Sequence, residues 1–218
     1  MTGREHRNSV NSQLELDVGT PPSDEELMRA FQNGRDGGFA ELVMRHGAKV
    51  LNYAWRLTDD FALAQDVAQE TFLAVYTRKD TFDSRRSFPA WLYRIASNLC
   101  RMEWRRRRRT TAPMSGSSVA VGDPAALAAE TVADPGPSPA EWANRRELEH
   151  RVRRAVVELP EKLRMVFVLS FYEGLAYKAI SDVLGCSIGT VASRKHLAMR
   201  HLRKRLGAVA GELLGRGA

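Results

Sequence analysis

Residues 177–206 read YKAISDVLGCSIGTVASRKHLAMRHLRKRL, and the spacing inside this stretch decides the fold class. Ala179, Ile180, Val183 and Leu184 recur at helical steps and make one apolar face of a short helix from Tyr177 to Leu184. Gly185-Cys186-Ser187 follows. Gly185 permits a tight turn, and Ser187 is suited to cap the next helix. That helix is expected from Ile188 to about Leu206, with Ile188 and Val191 facing back onto the first. The pattern is a helix-turn-helix, whose second helix lies in the major groove with its N-terminal part at the base edges. Thr190, Ser193, Arg194 and Arg200 are expected to project outward, and Lys204 and Arg205 to continue toward phosphates. Arginine bonds guanine bidentately, and serine or threonine reaches base edges or phosphate. Residues 190–206 carry six Lys or Arg and no acid, which a merely solvated face of a helical hairpin rarely does. DNA binding is the favoured reading.

The helical pattern extends upstream. Asn144 with Glu147 is expected to cap a helix that ends at Leu159-Pro160, and Pro160 opens the next, Glu161 to Tyr172, which Gly174 terminates. Residues 110–140 hold five of the nine prolines, no aromatic residue and no Lys or Arg. Such a segment buries too little apolar surface to offset its ordering entropy, so it reads as a flexible linker. Residues 23–109 form a second helical unit. Ser23 with Glu26 is a capping box for a helix carrying Leu27 and Phe31, and Asn33-Gly34 and Gly37-Gly38 are expected to break it. A helix from about Phe39 repeats Leu42, Val43, Val50, Tyr53, Ala54 and Leu57. Asp59-Asp60 caps a third, with Ala64, Val67, Ala68, Thr71, Phe72, Val75 and Tyr76 on its apolar side. After a loop at 80–86, a fourth helix places Phe88, Trp91, Leu92, Ile95, Leu99 and Met102 on one side. No alternating run suggests a sheet. The expected architecture is all-α: a tail (1–22), a helical unit (23–109), a linker (110–140), a helix-turn-helix unit (141–207) and a C-terminal tail (208–218).

Charge follows the same division. The full chain of 218 residues carries a formal net charge of +7. The second unit and tail hold 15 basic against 8 acidic residues, residues 23–109 hold 16 against 12, and the linker holds three acids alone. Two basic units on an acidic tether point to a polyanion. Two cysteines supply neither a disulfide framework nor a four-ligand zinc site, which fits a reducing compartment. The five histidines lack HExxH spacing, and no phosphate-cradling glycine loop is present, so a catalytic or cofactor-dependent role has little support. No apolar run is long enough to span a membrane, and the first twenty residues do not resemble a secretory signal.

Two further features are ambiguous alone. Arg94, Arg101 and the run Arg105–Arg109 make a dense positive end that suits phosphate and also favours a helix C-terminus. The aromatics interleaved there, from Phe82 to Trp104, could stack on unpaired bases, though at each position core packing is the better reading, and Trp91 is assigned to the core. Asp66, Gln69 and Glu70 form a polar stripe, ordinarily just a solvated face.

Together these residues resemble a known family. DVAQETFLAVY (66–76), SFPAWLYRIASNLCRMEWRRRRR (87–109) and LPEKLRMVFVLSFYEGLAYKAISDVLGCSIGTVASR (159–194) are similar to regions 2 and 4 of the sigma-70 family, in the two-domain layout of its extracytoplasmic-function branch. The resemblance implies that region 2 binds core RNA polymerase and opens the minus-ten promoter element, while region 4 reads the minus-thirty-five element. It assigns Asp66, Gln69 and Glu70 to polymerase contact. It assigns Asp80, Phe82, Ser84, Arg85 and Arg86 to the loop that holds a flipped base, and Arg94, Asn98 and Arg101 to the face following the minus-ten strand. Ser187, Thr190, Ser193, Arg194, His196, Leu197, Arg200 and Lys204 fall on the upstream element. Base flipping fits, because unpaired bases expose edges that a duplex hides. Lys195 departs from the family pattern where an apolar residue is usual, and Leu197 and Met199 where basic residues are common; Lys195 is expected to lay its stem along the core. The implied partners are core polymerase and promoter DNA, with an anti-sigma factor left open, no small-molecule substrate, and a cytoplasmic location. The alternative is a stand-alone helix-turn-helix repressor or activator, which ordinarily dimerises on a palindrome; no strong dimer stripe is visible.

Overall fold

The computed structural model describes residues 21–110 and 139–207, where every regular element is helical. The first unit holds α1 (Asp24–Gln32), α2 (Asp36–Thr58), α3 (Phe61–Thr77), a single 3-10 turn (Lys79–Thr81) and α4 (Phe88–Thr110). The second holds α5 (Pro139–Val157), α6 (Glu161–Phe171), α7 (Tyr177–Leu184) and α8 (Ile188–Leu206). No described helix is long and apolar enough to cross a membrane.

Local chemistry sets most boundaries as the sequence implies. Ser23 and Glu26 close the capping box reciprocally, with Ser23 Oγ accepting from the Glu26 N–H at 3.2 Å and the Glu26 carboxylate from the Ser23 N–H at 2.8 Å. Asp59 takes the left-handed conformation at φ 54° to end α2, and the Asp60 side chain accepts from Leu63 N–H at 3.0 Å to start α3. Two expectations fail. Gly37 and Gly38 do not interrupt the chain but lie in the first turn of α2. Gly38 sits where α1 crosses: a Cβ there would fall 2.3 Å from the carbonyl oxygen of Leu27, so the glycine permits close approach of two helices rather than a break. Asn144 is not a cap either, because α5 already starts at Pro139, a residue well suited to a first helical turn.

The core of the first unit joins Leu27, Met28 and Phe31 of α1 to Leu42, Val50, Tyr53 and Leu57 of α2, Val67 and Val75 of α3, and Phe88, Leu92, Tyr93 and Ala96 of α4. Tyr53 hides its hydroxyl there by hydrogen bonding to Ser97 at 2.7 Å. In the second unit, α6 is buried through five consecutive residues, Met165 to Leu169. A helix hydrophobic all round must be covered all round. Its second cover is α2 of the first unit, beyond α8 of its own.

The two units therefore pack against each other along a seam of side chains. The Tyr93 hydroxyl on α4 donates to the Glu173 carboxylate after α6. The Arg56 guanidinium of α2 lies 4.1 Å from the Tyr172 ring centre. Arg164 of α6 reaches across to the Leu57 carbonyl while also donating to the carbonyls of Val157 and Leu159, and it faces the Trp104 ring at 5.7 Å. Arg153 pairs with Asp59 at 3.5 Å, and Arg108 with Glu161 at 2.6 Å. Burial pushes the Glu173 carboxyl above its ordinary range and holds Arg164 below the usual arginine value. The expected linker, residues 110–140, lies almost wholly outside the described residues; α4 extends to Thr110 and α5 begins at Pro139. The tails at 1–20 and 208–218 lie outside them too.

Candidate nucleic-acid interface

The helix-turn-helix forms where the spacing put it. Ile180 and Val183 of α7 and Val191 of α8 are buried against each other's helices, and Gly185 turns the chain at φ 63°. Ser187 Oγ accepts from the Thr190 N–H at 3.2 Å, fixing the start of α8. Ser193, His196, Arg200 and Lys204 are exposed, and Thr190 and Leu197 are half-buried. Ile188, expected to face back, is instead 50% exposed. As the first residue of α8 it precedes the turn that contacts α7, so the burial falls to Val191. Arg194 also departs from the outward row: half-buried, it directs Nη1 toward Cys186 Sγ at 3.7 Å. Lys195 does lay its stem inward, half-buried with its ammonium 5.3 Å from the Tyr177 ring centre. Arg205 pairs with Glu158 of α5 at 2.6 Å.

In the first unit, Arg94, Asn98 and Arg101 sit four and three residues apart on one side of α4, and Arg101 Nη1 donates to Asn98 Oδ1 at 2.9 Å. Arg94 and Asn98 are exposed, whereas Arg101 is half-buried beside α6–α8. The loop before α4 is anchored from α1, where Gln32 Nε2 donates to the carbonyls of Lys79 and Phe82 at 2.8 and 3.0 Å. Asp80, Arg85 and Arg86 are exposed and Ser84 is half-buried; Asp83 holds Arg85 at 3.0 Å and Arg86 at 3.8 Å. Phe82 does not share the exposure expected of that loop. It is 5% exposed, its ring 5.8 Å from Phe88 and 5.2 Å from Trp91, so it plugs the core instead of facing a base. Burying such a ring contributes about 1.5–3 kcal/mol, which outweighs leaving it in a loop.

Asp66, Gln69 and Glu70 are all exposed on α3, and Leu73 continues the same stripe at 62% exposure. Leu73 falls out of phase with the buried positions Ala64, Val67, Thr71 and Val75, a sequence signal that marks it as a surface residue. Met44 of α2, 80% exposed, is a second apolar surface residue that periodicity did not single out. Among the described residues no group of His, Cys, Asp and Glu is arranged to hold a metal ion.

A helical unit with an arginine-rich fourth helix, followed by a basic helix-turn-helix, defines a two-part DNA-binding protein. Comparison with known proteins carries this further. Residues 42–110 match the family model Sigma-70 region 2, and residues 149–202 match Sigma-70, region 4. The RNA polymerase sigma-H factor of Pseudomonas aeruginosa is 33% identical over 187 residues, covering 86% of this chain and 95% of that protein. The ECF RNA polymerase sigma factor SigW of Bacillus subtilis is 31% identical over 179 residues, covering 82% and 94%. Among solved structures, CnrH in complex with the cytosolic domain of CnrY superposes with a TM-score of 0.63 at 28% identity, covering 86% of this chain and 99% of that one. RpoE of Bartonella quintana in complex with the anti-sigma factor NepR shares the fold, with a TM-score of 0.61 at 21% identity over 78% and 97%. The chain belongs to the sigma-70 family of RNA polymerase sigma factors, in its extracytoplasmic-function branch.

Proposed function

We propose that the chain joins core RNA polymerase, directs it to promoters through separate minus-ten and minus-thirty-five contacts, and carries out no catalytic step of its own. The observation that carries this reading is the conjunction, in one chain, of an exposed acidic stripe on α3 and two arginine-bearing helices, α4 and α8. Asp66, Gln69 and Glu70, extended by Leu73, are the proposed polymerase contact. Arg94, Asn98 and Arg101, with the exposed residues of the loop before α4, are the proposed minus-ten surface. Ser187, Thr190, Ser193, Arg194, His196, Leu197, Arg200 and Lys204 are the proposed upstream reader, with the first turns of α8 at base edges and Lys204 at the backbone.

The seam between the units bears on how this works. Arg101 and Arg194 serve different promoter elements on this reading, yet both border one cavity where the units meet. One DNA turn is about 34 Å, so elements nearly two turns apart cannot be engaged while the units stay packed. Binding polymerase and DNA then requires the units to separate, with the chain between α4 and α5 as the tether. We place the work in the cytoplasm, where polymerase and promoter are. Two of the structural relatives are described with bound partners, one of them an anti-sigma factor, and a protein of that kind would act on this chain by favouring the packed form. Run-off transcription from a promoter library, with core polymerase and with or without the chain, tests the proposal. Chain-dependent initiation at a defined subset of promoters is expected, and a transcript pattern identical with and without the chain overturns it.

A further inference from the structure

Where α4 meets α6 and the helix-turn-helix, the seam forms a partly open cavity of about 180 Å³. Its walls include Arg101 from α4, Lys162 and Met165 from α6, Leu184 and Cys186 from the turn region, and Arg194 from α8. Three of these are cations, and no acidic side chain lines the cavity. Elsewhere in the seam Arg108 meets Glu161, Arg153 meets Asp59, Arg56 meets the face of Tyr172, and Arg164 is held by backbone carbonyls and the Trp104 ring. Here Arg101 bonds the neutral amide oxygen of Asn98, and Arg194 directs Nη1 at the Cys186 thiol. Neither they nor Lys162 has a carboxylate within ion-pair distance among the described residues. Arg101 and Arg194 are half-buried and Lys162 is exposed, and like charges gathered from three helices favour an anion placed among them.

We propose that the cavity binds a small phosphate-type anion, a diphosphate group, which bridges α4 to α6 and α8. Two guanidinium forks match phosphate oxygens bidentately and a lysine supplies a point charge, the combination that phosphate recognition uses. Free pyrophosphate and the diphosphate end of a nucleotide share this chemistry. The consequence for regulation rests on the proposed function: an anion held by Arg101 and Arg194 would withhold both from DNA and stabilise the packed form. The binding itself does not rest on it.

Cys186 makes the site testable. The chain has two cysteines, of which Cys100 is buried and Cys186, half-buried, forms part of the cavity wall. Alkylation of the full chain by neutral iodoacetamide, at constant ionic strength without divalent metal, therefore reports occupancy. Pyrophosphate and ADP are expected to slow modification of Cys186 about five-fold at saturation, at concentrations about ten-fold below those of sulfate. Lys162→Gln is expected to raise the half-protecting concentration about ten-fold, measured against that variant's own anion-free rate. Arg109→Gln, in the exposed arginine run of α4, is expected to leave it unchanged. Equal protection by pyrophosphate and ADP assigns the diphosphate alone, and tighter protection by ADP assigns a nucleotide; either supports the site. No protection, protection by sulfate equal to that by pyrophosphate, or weakening by Arg109→Gln as large as by Lys162→Gln overturns it. Neither polymerase nor promoter enters the assay, so its outcome is independent of whether the chain initiates transcription.

Discussion

Replacing Tyr93 by Phe is expected to loosen the two units without unfolding either. The Tyr93 ring is buried and stands edge-on to Tyr53 at 5.1 Å, so phenylalanine retains the packing and removes only the hydroxyl that donates to Glu173. A hydrogen bond to a charged group contributes roughly 1.5–3 kcal/mol. The loss falls at the low end, because the Glu173 carboxyl, whose pKa burial raises, can take up a proton when its donor is gone. A loss of about 1.4 kcal/mol shifts the ratio of packed to separated chains about ten-fold toward separation. Acidity acts at the same point. Glu173 faces Tyr93 of α4 and Arg56 and Lys49 of α2, and its pKa is raised in the packed form. The contribution of a group with a raised pKa is fully present below its ordinary value and is lost as pH rises through the raised one. The seam should therefore be tightest in mild acid. Glu173→Gln keeps an acceptor for Tyr93 and removes the titration, so it should hold the units together at all pH values from about 5 to about 8. Small-angle scattering of the full chain reads the outcome as radius of gyration, and a thermal melt verifies that the helices persist. A Tyr93→Phe chain as compact as the parent at every pH, or a Glu173→Gln chain that opens like Tyr93→Phe, would refute the reasoning.

Three more outcomes follow from individual positions. Gly38→Ala should destabilise by about 1–3 kcal/mol, since its Cβ must push α1 off the Leu27 carbonyl, whereas Gly47→Ala, with nothing within 4 Å, should stabilise by up to about 1 kcal/mol; paired denaturant titrations check both signs. Charge reversal at Asp66 or Glu70 should weaken capture of core polymerase while moving stability by no more than about 0.5 kcal/mol, because both side chains are exposed, and a pull-down beside a melt separates the two effects. Lys204→Ala should weaken DNA binding about evenly across sequences and lower the salt slope by about one, while Arg194→Ala should cost about 1–3 kcal/mol at one or two base pairs once the units have separated; single-base variants of the upstream element across a salt series read both.

Much of this fold is written in local signals. The ends of α7 and α8, the Ser23 and Ser187 caps and the Asp59-Asp60 junction all rest on side chains acting within a turn, and the chain alone specifies them. Gly37-Gly38 misleads because a glycine pair signals a break by composition, while its use here is helix approach, which depends on where α1 crosses. Phe82 misleads in the other direction: a loop position suggests exposure, but Phe88 and Trp91, six and nine residues on, draw its ring inward. The seam is the least legible part. It is made by Tyr93, Glu173, Arg56, Arg153 and Arg164, charged and polar groups that follow no hydrophobic period and read singly as solvated surface. The one hint was α6, whose run of buried residues from Met165 to Leu169 is wider than one neighbour can cover. The turn of Arg194 toward Cys186, eight residues back in its own helix-turn-helix, likewise follows no hydrophobic period.

The division of labour between chain and polymerase can be tested in a single binding measurement. A fluorescent promoter fragment, found by run-off selection, is titrated with the chain alone, with core polymerase alone, and with both. Weak, salt-sensitive binding by the chain alone, and tight promoter-selective binding only when both are present, is the expected result, because neither small basic unit offers a large specific interface and the two are packed together when free. Tight, sequence-selective binding of the free chain as a dimer, unaltered by core polymerase, would contradict it.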